Sequence, residues 1–335
     1  MPASGPNAGF GDNRRDPPVK RNAREEQDSM SKPRIGFVGV GLMGHGVAKN
    51  LVAKGFPLAL WVHRNRAPAN DLLAAGATEA KSHADLARNA DIVILCVTGA
   101  PQVEEVVLGR DGIASGARRG LIVVDTSTSE PAMTARMRNA LADQDVRFVD
   151  APLARTPAEA EQGRLNIMVG AEDATFAELE PVFAAFCENI IHAGPPGHGI
   201  VLKLINNFIA QAICTATAEA CAAAAKSGLS IAKLHQVISA GAVNSGLFQM
   251  LVGRMLESGD LSGLKFTLSN AAKDLRYYTH FTESMMMPSI VGEAVHQSLV
   301  MANALGFGDK YVPSLIEAQE KLAGVSIVPR SVANA

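Results

Sequence analysis

Apolar positions divide the chain into two stretches of different pattern. Between residues 34 and 194, short apolar runs recur: "RIGFVG" (34–39), "LALWV" (58–62), "DIVILCV" (91–97), "LIVVDTS" (121–127), "VRFVDAP" (146–152), "LNIMVG" (165–170) and "NIIHAG" (189–194). Several are continuous rather than alternating in polarity, which marks strands covered on both faces. Segments of helical spacing lie between them. Alternation of this kind predicts an α/β fold with a parallel, doubly wound sheet. After Pro195 and Pro196 the pattern changes. Residues 199–225 read as one alanine-rich helix, and helical spacing returns at 230–241, 245–258, 265–284, 288–305 and 311–323. With no strand pattern among them, the C-terminal part is expected to be all-α. The expected organisation is an extension over 1–32, a sheet domain over 33–195, a helical domain over 196–325 and a tail over 326–335.

The long helix poses a chemical question. Its start, "GHGIVLKLINNFIAQA" (197–212), carries apolar side chains in nearly every direction, and such a helix is normally buried. Yet it holds Lys203, Asn206 and Asn207. Burying an ammonium is costly unless it is paired or its pKa shifts. Positions three and four apart are neighbours on a helix, so the three side chains form one polar patch. That patch is expected to face a cleft between the domains. Further on, "ATAEACAAAA" (216–225) suits close helix packing, against a second subunit or within the core of one chain.

Composition narrows the setting. Residues 1–32 are polar and rich in Pro, Gly and Asn, a makeup expected to stay disordered. They lack the apolar core of a secretory signal, and Met30 stands just before the first strand. A net charge of −2 supplies no basic field to draw nucleic acid or an anionic membrane. No apolar run is read as membrane-spanning. Cys96, Cys187, Cys214 and Cys221 show no CxxC spacing and read as reduced thiols, so a cytoplasmic location is expected. No ligand spacing for a metal is present.

"GFVGVGLMGHG" (36–46) fits G-x-G-x-x-G with Gly39, Gly41 and Gly44. It follows a strand, opens a helix and leads to a second strand, the context in which this pattern marks a Rossmann-type dinucleotide site. The first glycine permits the tight turn, the second lets pyrophosphate approach, and the third closes helix on strand. An acidic residue about 20 positions on would bind the ribose 2′-hydroxyl of NAD. Here the end of the second strand offers His63, Arg64, Asn65 and Arg66. Guanidinium pairs with a 2′-phosphate, so NADP is favoured over NAD as cofactor; the bland alternative is two solvated loop arginines.

Taken in order, this loop, "VVDTST", "VDAP", the G-x-G-x-x-x-K-L-x-N-N pattern from Gly197 to Asn207 and the Lys273–Asp274 pair resemble the β-hydroxyacid dehydrogenases, over about residues 33–323. The resemblance implies an NAD(P)-dependent oxidoreductase that interconverts a small acidic aldehyde and its 3-hydroxy acid, assembled as a homodimer or homotetramer. It places Leu42 and Met43 in the nucleotide loop, and Val97, Thr98 and Thr128 beside the cofactor. Val62 stands where NAD-preferring members have aspartate. Lys203 matches the catalytic lysine, Asn207 its partner, and Lys273 a lysine reaching both cofactor and substrate. "DAPLARTP" (150–157) departs from the family's D-A-P-V-S-G-G. With Arg155 and Thr156 it is most like the sulfolactaldehyde reductases, which implies that Arg155 and Asn206 grip the substrate anion.

In carbonyl reduction an ammonium beside the oxygen stabilises developing charge and supplies the proton, and in oxidation the neutral amine removes it. Partial desolvation is expected to lower the pKa of Lys203. Arg155 follows a strand's carboxyl end, where ligands bind in doubly wound sheets. Ser127 binds cofactor or substrate, or caps the following helix. The run Met285 to Met287 reads as packing within the helical domain. Two other readings stay open: an imine reductase on the same scaffold, which usually replaces the lysine, and a non-catalytic NADP(H)-binding interaction module.

Overall fold

The computed structural model describes residues 32–63 and 66–329, and residues 1–31 of the expected extension and the last six residues lie outside them. Among the described residues nine strands form one sheet: β1 (Ile35–Val38), β2 (Leu58–Trp61), β3 (Thr78–Glu79), β4 (Ile92–Leu95), β5 (Ile122–Asp125), β6 (Arg147–Asp150), β7 (Leu153–Ala154), β8 (Leu165–Gly170) and β9 (Cys187–Gly194). Their order is β3-β2-β1-β4-β5-β6-β8-β7, with β9 on β8. The first six follow the dinucleotide-fold order 3-2-1-4-5-6, whose crossing point lies between β1 and β4. β1, β4 and β5 are buried at every position, as their unbroken apolar runs required. Alternate side chains feed two cores: Phe37, Ile94 and Val124 join one face, and Val38, Val93 and Val123 the other.

Parallel pairing breaks after β6 and resumes between β8 and β9. The ten residues between Ala154 and Leu165 hold only the short helix Pro157–Glu161, too little for a crossover, so β8 returns antiparallel to β7 and β6. β3 and β7, two residues each, left no pattern to read.

Helices then take over. The long helix α1 (His198–Lys226) packs on β8 and β9 and on α2 (Leu268–Ser284) and α4 (Leu315–Ala323). α3 (Ile290–Ala302) packs alongside α2. A third apolar core, including Leu204, Cys214, Leu275, Leu299 and Ile316, holds these helices together.

Three expectations are corrected here. At 29 residues, α1 is long and apolar enough to cross a membrane; Lys203, Asn206 and Asn207 interrupt the run in sequence and hid that length. Packing against the sheet and the neighbouring helices accounts for its apolarity. Nor is it buried all round: Leu202, Ile205 and Ile209 are exposed. Met285, Met286 and Met287 sit in the turn after α2, with Met286 93% exposed, so they do not pack the helical core.

Candidate active site

At the end of β1, Gly39 adopts φ +102°, a left-handed conformation in which a Cβ would also fall 2.2 Å from the Cys96 carbonyl oxygen. A Cβ on Gly44 would meet the Gly39 carbonyl oxygen at 2.0 Å, so helix and strand close only because both residues are glycine. A Cβ on Gly41 would meet nothing within 4 Å. The loop therefore packs tightly on one side and stays open on the other. No side chain caps the helix Gly44–Ala53 at Met43, and Leu42 beside it is 68% exposed. An open glycine at an uncapped helix start fits the pyrophosphate of a dinucleotide, held by backbone N–H groups and the helix dipole.

The carboxyl ends of β4 and β5 lie next along the same edge. The Ser127 hydroxyl accepts the Val97 N–H at 2.9 Å, and the Ser127 N–H donates to Asp125 Oδ1 at 2.9 Å. Ser127 caps no helix: the next one, Pro131–Ala142, has Glu130 at its N-cap and no side-chain cap bond. From α2, Lys273 Nζ donates to the carbonyls of Thr98 at 2.5 Å and Thr128 at 3.3 Å. One turn on, the Tyr277 hydroxyl accepts the Ala100 N–H at 3.2 Å. Thus α2 closes over both strand ends.

The polar patch of α1 meets the same helix. Asn207 Nδ2 donates to Asp274 Oδ2 at 2.7 Å, and Asp274 Oδ1 lies 2.9 Å from Lys273 Nζ. Asn206 Nδ2 donates to Asn207 Oδ1 at 3.2 Å. Lys203, one turn before Asn207, is half-buried and has no hydrogen-bond or ion-pair partner among the described residues. Burial holds its pKa below the ordinary lysine value; Asp274 opposes the shift and Lys273 adds to it. Asn206, Asn207, Asp274 and Lys273 so form one connected group, tied through Lys273 to Thr98 and Thr128, and Lys203 couples to it electrostatically through Asp274 and Lys273.

Asp150 anchors that group from below. Its carboxylate accepts the N–H of Gly197 at 2.7 Å and of Ile200 at 2.8 Å, fixing the start of α1 to the end of β6. Burial raises its pKa to about 6, and burial raises that of Asp125 to about 7.

Other expected residues are engaged elsewhere. Arg155 sits at φ +82°, donates to the Arg164 carbonyl and pairs with Glu188 on β9. Thr156 caps the helix Pro157–Glu161 in a reciprocal box with Glu159. Among the described residues neither makes a hydrogen bond or ion pair with the Lys203 group. Arg66 is held by Glu79 in a two-pronged pair at 2.8 and 2.7 Å. His63 is exposed and stacks on Trp61, with ring centroids 5.2 Å apart. Arg64 lies outside the described residues. Asp274 and Tyr277 join the site without a role expected from the sequence. Their signal was an amphipathic helix carrying a lysine, an aspartate beside it and a tyrosine one turn on.

A glycine loop open to pyrophosphate and a lysine whose pKa burial depresses are parts that a dinucleotide-dependent oxidoreductase needs. Residues 34–194 match the model described as the NAD binding domain of 6-phosphogluconate dehydrogenase. Residues 197–318 match the NAD-binding domain of NADP-dependent 3-hydroxyisobutyrate dehydrogenase. The chain is 29% identical to 2-(hydroxymethyl)glutarate dehydrogenase of Eubacterium barkeri, over 88% of this chain and 97% of that one. It is also 29% identical to 3-sulfolactaldehyde reductase of Escherichia coli, over 87% and 97%. The crystal structure of 3-hydroxyisobutyrate dehydrogenase from Salmonella typhimurium superposes with a TM-score of 0.75 at 27% identity, covering 85% of this chain and 99% of that chain. The protein belongs to the β-hydroxyacid dehydrogenase family and is an NAD(P)-dependent enzyme.

Proposed function

We propose that the enzyme interconverts a small acidic aldehyde and its 3-hydroxy acid, with Lys203 as general acid and base. The observation that carries this reading is the unpartnered, desolvated ammonium of Lys203 beside the Asn207–Asp274–Lys273 network. Gly39, Gly41, Leu42, Met43 and Gly44 would hold the pyrophosphate, with Val97, Thr98, Thr128 and Lys273 along the rest of the cofactor. When bound, the nicotinamide gives or accepts the hydride. In reduction, Lys203 Nζ donates its proton to the carbonyl oxygen as that oxygen gains charge; in oxidation, the neutral amine takes the hydroxyl proton. Asn207, fixed by Asp274, orients the lysine and the substrate oxygen, and Asn206 and Ser127 contribute polar atoms on the substrate side. Arg155 and Thr156 would bind the acid group after exchange with Glu188 and Glu159, their present partners.

NADP preference is supported by Val62 and by Arg66, with Arg64 beside it in sequence. Exposed Leu202, Ile205 and Ile209 on α1 support a homodimer or homotetramer, and four free cysteines support a reducing, cytoplasmic setting. Lys203 also argues against imine reduction, where that lysine is usually replaced, and the family's named dehydrogenases and reductases argue against a non-catalytic module.

Initial rates of NADPH and NADH oxidation across succinic semialdehyde, tartronate semialdehyde, methylmalonate semialdehyde, sulfolactaldehyde and glyoxylate test the proposal. Turnover of at least one acidic aldehyde is expected, faster with NADPH. Tight cofactor binding without turnover of any of them would contradict it.

A further inference from the structure

Beside Lys273, between α2 and α3, runs a groove of about 250 Å³ lined by Ser269, Ala272, Lys273, Arg276, His296 and Val300, with Asn303 at its end. The α2 residues fall three and four apart, so they form one helix face turned toward α3. Its lining holds four nitrogen-bearing side chains, Lys273, Arg276, His296 and Asn303, and no carboxylate. Arg276 is exposed and, beyond resting 5.6 Å from the Tyr277 ring, has no hydrogen-bond or ion-pair partner among the described residues. His296 likewise has none. Burial holds the His296 pKa below the ordinary value; Glu293 opposes that shift, and Arg276 and His280 add to it, so the imidazole offers a neutral N–H donor beside the guanidinium. Arg155, by contrast, is already paired with Glu188. An unpaired guanidinium in a partly apolar groove is a ready fork for an oxyanion. Lys273 is the shared wall between this groove and the Lys203 group. Ala272 and Val300 supply apolar surface between the polar ends, which suits a short aliphatic chain.

We propose that this groove is an oxyanion site formed by Arg276 and His296, and that it takes the remote carboxylate of a substrate bearing two acid groups. This rests on the aldehyde-reductase reading and narrows its substrate class. The same chemistry would also accept a free phosphate-type anion, so the test has two arms. In the first, KM is measured for methylmalonate semialdehyde, with one carboxylate, and for 2-formylglutarate, with two, in the wild-type enzyme and in Arg276→Gln. The proposal expects a lower KM for the diacid in wild type. It expects the substitution to raise the diacid KM on the order of tenfold, while the monoacid KM stays within about twofold. In the second arm, thermal midpoints are measured with and without inorganic phosphate in both proteins.

A diacid preference lost in Arg276→Gln supports the proposal as stated. Phosphate stabilisation lost in Arg276→Gln without any diacid preference overturns the substrate assignment and moves the anion's source to solution. Equal KM effects on both aldehydes together with no phosphate stabilisation overturn the oxyanion site itself. Absence of turnover with every aldehyde would instead sink the reductase reading, leaving the phosphate arm to decide the groove.

Discussion

Asn207 and Asp274 join the two helices that carry the site's lysines: Nδ2 of the first donates to Oδ2 of the second at 2.7 Å, and the other Asp274 oxygen meets Lys273 at 2.9 Å. Both residues are buried, the aspartate to 2% exposure. A carboxylate so placed works on Lys203 at a distance, opposing the depression of its pKa that burial causes.

Asp274→Asn keeps the shape and removes that opposing charge. Lys203 then loses its proton at lower pH. The rate of aldehyde reduction, which needs the ammonium, is expected to fall off about one unit or more toward acid relative to wild type. A pH profile of kcat/KM reads this directly; an unmoved profile would separate Asp274 from the titration of Lys203.

Gly41 and Gly44 separate binding from folding. Gly41→Ala enters open space, so its thermal midpoint is expected to stay at the wild-type value while NADPH affinity drops on the order of tenfold. Gly44→Ala drives a methyl into the Gly39 carbonyl and should cost about 1–3 kcal/mol of stability. Thermal melts and fluorescence titration of NADPH check the pair.

How much of this was legible follows from what each feature depends on. The six-strand parallel core was readable because burial on both faces forces unbroken apolar runs. The nucleotide loop was readable because its glycines are each demanded by local geometry. The lysine patch was readable because three polar side chains on one greasy helix need a destination. What escaped depends on contacts distant in sequence. The antiparallel return of β8 follows from a short connection, and the role of Asp274 from a partner 67 residues away. The pairings of Arg155 with Glu188 and Arg66 with Glu79 need the strands to be docked first. Exposure of Leu202, Ile205 and Ile209 has no signature in an all-round apolar helix.

Glu79 holds the arginine that NADP would need. Glu79→Gln frees Arg66 and removes a negative charge from the neighbourhood of a 2′-phosphate. The ratio of kcat/KM with NADPH to that with NADH should rise by about two- to fivefold, the scale of an exposed ion pair. A ratio that stays constant would leave Arg66 as a surface residue.

Asp125 ties stability to pH. Its folded pKa of about 7 stands above the ordinary 3.8, so the stability it contributes is full below pH 3.8 and is lost as pH rises through about 7. Asp125→Asn is free of that loss. The thermal midpoint of the variant, relative to wild type, should therefore climb as pH goes from 4 to 8; a constant difference would place the titration elsewhere.

The central claim is that Lys203 carries the proton. Stopped-flow or steady-state oxidation of NADPH with a turned-over acidic aldehyde, run on Lys203→Met beside wild type, addresses it most directly, with NADPH affinity measured on the same samples. The account predicts a fall in kcat on the order of a hundred- to ten-thousandfold with NADPH affinity essentially unchanged. A variant that turns over at close to the wild-type rate would contradict it.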